Sequence, residues 1–184
     1  MKTKIIFSFL AFIFFLNIPL RSADAAQAKS ESANLVTLKK DNNFDNRAKI
    51  LKAFLNSYNS PLADYSDTFV KSADNNKIDW KLLVAISGVE STFGQEIPYN
   101  SYNGWGWGIY GDNMIRFSSW DEAIETISKS IREKYINQWG AKDVYEIGRF
   151  YAASPTWAQR VNYFMEKINQ FEYSNPKKVL SITL

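Results

Sequence analysis

Large apolar residues recur along most of this chain at intervals of three and four, the spacing of one face of an α-helix, and no comparable run alternates with period two. Ile50, Leu51, Phe54 and Leu55 share a face of a predicted helix over 47–58. After Ser60-Pro61 a second begins, carrying Leu62, Tyr65, Phe69 and Val70 and broken at Asn75-Asn76. Asp79 is placed to cap a third, from Trp80 to about Phe93, with Gly94 as its stop.

Residues 94–117 hold Gly and aromatic residues in no clear period and read as a loop or a short hairpin. Ser119-Trp120-Asp121-Glu122 is a capping box, followed at helical intervals by Ala123, Ile124, Ile127, Ile131 and Tyr135, so a fourth helix runs to about Trp139-Gly140. A short fifth over 143–153 turns Val144, Ile147, Phe150 and Tyr151 inward. Ser154-Pro155 supplies an N-cap and first-turn proline for a sixth, with Trp157, Val161, Phe164, Ile168 and Phe171 as its apolar stripe. The fold class is mainly α: one domain of about six helices with a Gly/aromatic-rich loop or short hairpin.

The ends of the chain follow other rules. Lys2 and Lys4 precede an apolar run from Ile5 to Leu20 and then Ala23-Asp24-Ala25, a small-x-small cleavage pattern, so residues 1–25 read as a signal peptide. The run contains Asn17 and Pro19 and is shorter than the roughly 20 apolar residues of a spanning helix, which leaves membrane association only through an uncleaved leader. Residues 26–45, rich in Ser, Lys, Asn and Asp, read as a flexible linker, 46–173 as the folded domain and 174–184 as a C-terminal tail. The expected location is outside the cytoplasm: extracellular, periplasmic or cell-wall associated.

Composition then narrows the chemistry. The 184 residues include no Cys and no His, which excludes a Ser-His-Asp triad, a thiolate nucleophile, a Cys/His zinc site and a disulfide framework. Acid–base work falls to Asp, Glu, Tyr or Lys. The formal charge of +3, from 22 basic and 19 acidic residues, moves close to neutral once the leader is removed, and no basic cluster suggests nucleic acid as a partner. Neither a metal nor a cofactor is expected, and the chain is read as a monomer.

Glu90 breaks the pattern around it. On the third helix the inward stripe is Leu83, Ile86, position 90 and Phe93, and a carboxylate there loses hydration that its charged form needs. A carboxyl that keeps its proton near neutral pH is what a general acid requires. Placed at the margin of the stripe, the same residue would simply face solvent. Just downstream, five of the thirteen residues from Tyr99 to Gly111 are Tyr or Trp and four are Gly. Flat rings beside Asn and Ser suit pyranose sugars, which have apolar faces and hydroxyl rims; a buried aromatic cluster is the alternative for some of these rings, Trp107 first.

These residues resemble a family. The stretch from Asn76 to Gly94, ending Glu90-Ser91-Thr92-Phe93-Gly94, is similar to the catalytic helix of bacterial lysozyme-like peptidoglycan-cleaving enzymes, both soluble lytic transglycosylases and endo-β-N-acetylglucosaminidases of the flagellar-muramidase type. Gly108-Ile109-Tyr110-Gly111 resembles the Gly-Ile-x-Gly turn of the glucosaminidase group, and Phe117 to Ile124 the helix start after it. Phe150 to Ala158 resembles that group's Tyr-Ala-x-Asp-Pro segment and, in outline, the Tyr-Asn-Ala-Gly segment of the transglycosylases. Three departures leave the subfamily and the bond cut open: Ser154 stands where the glucosaminidase pattern has Asp, the transglycosylase Gly-Leu-Met-Gln loop is absent, and the aromatic-glycine segment is longer than usual.

The resemblance implies a catalytic domain acting on peptidoglycan or a related N-acetylhexosamine glycan, with Glu90 as catalytic acid and Tyr151 across the cleft, orienting Glu90 or supporting developing charge. Ser91 and Asn103 would lie near substrate, and Tyr102, Trp105 and Tyr110 would line sugar subsites. Asp112 is the candidate second carboxylate, although a turn role accounts for it as well, and Glu96 reads as a solvated loop charge. Other readings are a wall-binding module without turnover and a helical scaffold with no sugar affinity.

Overall fold

The computed structural model describes residues 45–108 and 114–174. The segments read as signal peptide and, up to residue 44, as linker, the segment from residue 175 read as tail, and both Tyr110 and Asp112 lie outside the described residues. Six α-helices occur among the described residues: α1 Arg47–Ser57, α2 Ser66–Asn76, α3 Leu82–Ser91, α4 Trp120–Ser130, α5 Val144–Tyr151 and α6 Trp157–Ser174. A 3-10 turn, Ala63–Tyr65, precedes α2, and no strand occurs among the described residues. The mainly α class is therefore as the periodicity predicts.

Helix α3 is the axis of the fold. Every residue from Leu82 to Ser87 is buried, and α3 packs along α6, while α2 packs on α4 and α1 on both α2 and α6. A helix apolar on all sides is a central one, so a single inward stripe does not describe it. This corrects the reading of Glu90 as a stripe residue: Leu83, Ile86 and Phe93 are buried, whereas Glu90 is exposed as a whole residue and only its carboxyl end is partly covered, by Trp157 and Gly106.

The helix then stops abruptly. Thr92, Phe93 and Gly94 take φ values of 51°, 57° and 80°, left-handed conformations that cost a side-chain-bearing residue about 1–2 kcal/mol each. Local bonds hold the turn: Phe93 N donates to Ser87 O at 3.0 Å, Gly94 N to Ser91 Oγ at 2.9 Å, and Ser60 Oγ to Phe93 O at 2.7 Å. The turn swings the Phe93 ring back under α3, where it meets the rings of Phe54, Tyr58 and Phe164. Gly88 makes room for it, since a β-carbon there would lie 2.6 Å from Phe93 Cε1. Burial of an aromatic ring, typically worth a few kcal/mol, offsets the cost of the turn.

At α4 the capping box forms: Ser119 Oγ accepts from Glu122 N at 3.1 Å, and Glu122 Oε2 accepts from both N and Oγ of Ser118 at 2.6 Å. Asp143 and Glu146 repeat the device at α5, where Oδ1 of Asp143 accepts from Glu146 N and Oε2 of Glu146 from Lys142 N, both at 2.8 Å. Helix α4 continues as a π-helical segment, Ile131–Gln138, in which Trp139 N reaches back five residues to Lys134 O at 2.8 Å.

Three details of the sequence reading shift. Phe150 is 49% exposed and Val144 half-buried, and the buried positions of α5 are Ile147 and Gly148. Helix α6 starts at Trp157, after a turn in which Ser154 O accepts from Trp157 N, so Ser154 is not its N-cap. No described strand joins the 94–117 segment into a hairpin; Phe117 N donating to Ser101 O at 2.9 Å ties its two limbs.

Candidate functional site

Glu90 stands near the end of α3, and three residues from two elements converge on its carboxyl. From α6, the Trp157 indole N–H donates to Glu90 Oε1 at 2.6 Å. From the aromatic loop comes Gly106, at φ 61°, where a β-carbon would lie 3.1 Å from Glu90 Oε2. Arg160, one turn along α6 from Trp157, adds a positive charge nearby.

Electrostatics follow from that packing. Burial of the carboxyl holds the Glu90 pKa above the ordinary glutamate value, and the Trp157 bond and the Arg160 charge pull it part of the way back. An indole N–H can only donate, so Oε1 is an acceptor in either protonation state, and Oε2 is the oxygen better placed to carry the proton of neutral Glu90. That oxygen faces Gly106, which is exposed, so the proton is presented where a ligand atom can approach.

Tyr151 lies behind this arrangement. Its ring stacks on Trp157 with centroids 4.7 Å apart and planes 22° apart, and its hydroxyl donates to Trp105 O at 2.7 Å. Burial, with the Glu90 charge and Tyr135 adding to it, pushes the hydroxyl well above the ordinary tyrosine value, so it stays a donor. Tyr151 thus acts on Glu90 through Trp157. Trp107 and Tyr135 pack against its ring at centroid distances of 5.8 and 6.0 Å, the π-helical segment supplying Tyr135.

Several expected sugar contacts prove to be internal. Ser91 is 3% exposed, and its hydroxyl donates to Gly104 O at 2.7 Å while accepting from Gly94 N, which pins the aromatic loop to the end of α3. Asn103 is 2% exposed, with its amide nitrogen donating to Trp107 O and Ile115 O and Oδ1 accepting from Trp107 N, so its polar atoms hold the loop. Trp105 is fully buried, its Nε1 donating to Leu83 O at 2.9 Å and its ring beside Phe69 and Trp120. Trp107, the ring expected to be buried, is instead half-buried. Tyr102 is half-buried with its ring edge-on to Trp120, which leaves part of it accessible.

The residues that sequence reasoning missed are Trp157, Gly106 and Arg160. Trp157 was absorbed into the stripe of the last helix; the signal against that was chemical, since a buried indole needs an acceptor for its N–H. Among the described residues no three Asp or Glu side chains gather where they could hold a metal ion. No protein-family model matches this chain, and no curated protein sequence matches it.

Proposed function

We propose that this protein cleaves the β-1,4-linked glycan of peptidoglycan, or a related N-acetylhexosamine polymer, with Glu90 as the proton donor. The observation that carries the reading is the Glu90 carboxyl itself: raised in pKa by burial, oriented at Oε1 by Trp157, and open at Oε2 beside Gly106. A general acid benefits from that combination of a proton held more tightly, a fixed direction and access. The similarity of 76–94 and 150–158 to lysozyme-like wall enzymes supports the same assignment from the sequence side.

In this mechanism Glu90 Oε2 gives its proton to the glycosidic oxygen as the C1–O bond breaks. The carbonyl oxygen of the substrate's own N-acetyl group closes on C1, so no second protein carboxylate is required. The Glu90 carboxylate then takes a proton from water, giving hydrolysis, or from a sugar 6-hydroxyl, giving a 1,6-anhydro end, as that oxygen bonds to C1 and the N-acetyl oxygen leaves C1 to restore the amide. Tyr151 and Trp157 are positioning residues that hold the carboxyl.

Mass spectrometry of fragments released from purified peptidoglycan tests the reading. Anhydromuramoyl ends identify a lytic transglycosylase, and reducing N-acetylglucosamine or muramic acid ends identify a hydrolase and its bond. Binding to several wall types with no fragment released sinks the catalytic assignment in favour of a binding module.

Trp157→Phe probes the orienting bond. The variant keeps the ring on Tyr151 but removes the donor that favours the charged form of Glu90, so the Glu90 pKa moves further up. The acid-requiring form then persists to higher pH, and the alkaline limb of the kcat/KM profile is expected to shift upward. An unmoved limb in an active variant would assign the titrating acid elsewhere.

A further inference from the structure

Beside Glu90, a groove of about 470 Å³ runs between α3 and α6, lined by Gly88, Val89, Gln159, Arg160, Tyr163 and Phe164. Its volume suits a ligand of a few residues or rings. Three features define what fits there. The lining is apolar at Gly88, Val89 and the half-buried Phe164 ring. Tyr163 is 56% exposed and meets Phe164 edge-on at 5.3 Å. The charge is positive: Arg160 makes none of the ion pairs found among the described residues, and Lys167, seven residues on, sits 5.3 Å from the Tyr163 ring.

An arginine fork that forms no salt bridge and meets Glu90 only through its charge, beside aliphatic and aromatic walls, is complementary to a carboxylate on a partly apolar chain. A plain sugar offers no such charge. Peptidoglycan does, because every second sugar bears a lactyl ether extended by a short peptide with free carboxylates. We propose that this groove receives that peptide arm, with Arg160 binding a carboxylate of the arm and Val89, Tyr163 and Phe164 covering its apolar part. The inference rests on the glycan-cleaving reading of Glu90, and places the arm-bearing sugar next to the scissile bond because the groove starts one residue from the proton donor.

The test uses the full chain and three forms of one defined peptidoglycan oligosaccharide: with stems carrying free carboxylates, with those carboxylates converted to amides, and with stems removed. The wild-type protein is expected to prefer the free-carboxylate form in kcat/KM. Arg160→Gln should lower the ratio of that form to the amide form by about tenfold, the scale of one hydrogen-bonded charge. Tyr163→Ala should weaken cleavage of both stem-bearing forms relative to the stem-free one. A ratio unchanged in Arg160→Gln, or an equal loss on all three substrates, overturns the proposal, the second because it would place Arg160 in the service of Glu90 or of the fold. If wild type cleaves none of them, the catalytic reading fails and calorimetric binding of the same three oligosaccharides decides the groove. A carboxylate-dependent affinity lost in Arg160→Gln then supports it, and equal affinities overturn it.

Discussion

Glu90→Gln is expected to reduce glycan cleavage by about 10²- to 10⁴-fold, the usual contribution of a positioned general acid, while leaving the fold intact. The amide is nearly the same size, and its oxygen can still accept from the Trp157 N–H, so only the proton is removed. Stability gives an independent check on the same group. The folded-state pKa of Glu90 lies above its unfolded value, so its contribution to stability is fully present below the unfolded pKa and is lost as pH rises through the folded pKa. The glutamine variant carries no such penalty. Thermal unfolding should therefore show it at least as stable as wild type at neutral pH, with the difference closing as pH falls toward the acid range. Full activity in Glu90→Gln, or activity lost together with the folded state, would falsify the assignment.

The second large effect concerns Trp105. As a sugar platform, Trp105→Ala would weaken glycan binding and leave stability alone. The structure calls for the reverse, because the indole is fully buried between Phe69 and Trp120 and bonded to the Leu83 carbonyl. Truncation to alanine should cost about 3–5 kcal/mol through lost burial and a residual cavity. In a domain of this size that lowers Tm by roughly 10–20 °C. Trp105→Phe, which keeps most of the packing and gives up the hydrogen bond, should cost less, about 1–2 kcal/mol. Because Trp105 also lends its carbonyl to the Tyr151 hydroxyl, activity should fall in the alanine variant even at temperatures where it stays folded. An unchanged Tm with selectively weakened glycan affinity would return Trp105 to the substrate surface.

Much of the fold was legible residue by residue. The face Ile50, Leu51, Phe54 and Leu55 is buried as spaced, the break at Asn76 is where α2 ends, and Ser119 caps α4 through the box that its neighbours spell. These are local effects, set by side chains within a turn of one another. The stripe argument failed where the helix was central rather than amphipathic. Along α3 every position from 82 to 87 is inside, so periodicity could not tell which side of Glu90 faced the core. The loop was the least legible part. Its composition said sugar, but Asn103 and Trp105 within it, and Ser91 at the end of α3, satisfy backbone groups or fill the core, demands that a Gly-rich segment with little secondary structure makes on the side chains around it.

Sequence by itself determined the helical class, the order and approximate limits of six helices, the exclusion of imidazole and thiol chemistry, and the choice of Glu90 as the residue to watch. The first three rest on short-range spacing or on composition, which no folding event can change, whereas Glu90 was singled out by resemblance and by a stripe that the packing of α3 does not have. Tertiary structure alone decided what surrounds that carboxyl. Trp157 comes from 67 residues away to orient Oε1, and Gly106 supplies the space beside Oε2. Tyr151 reaches Trp105 rather than Glu90. The groove at Arg160 exists only because α3 and α6 pack side by side. A pKa, a proton's position and a cavity all depend on which distant groups share a volume, and that is settled only when the helices pack.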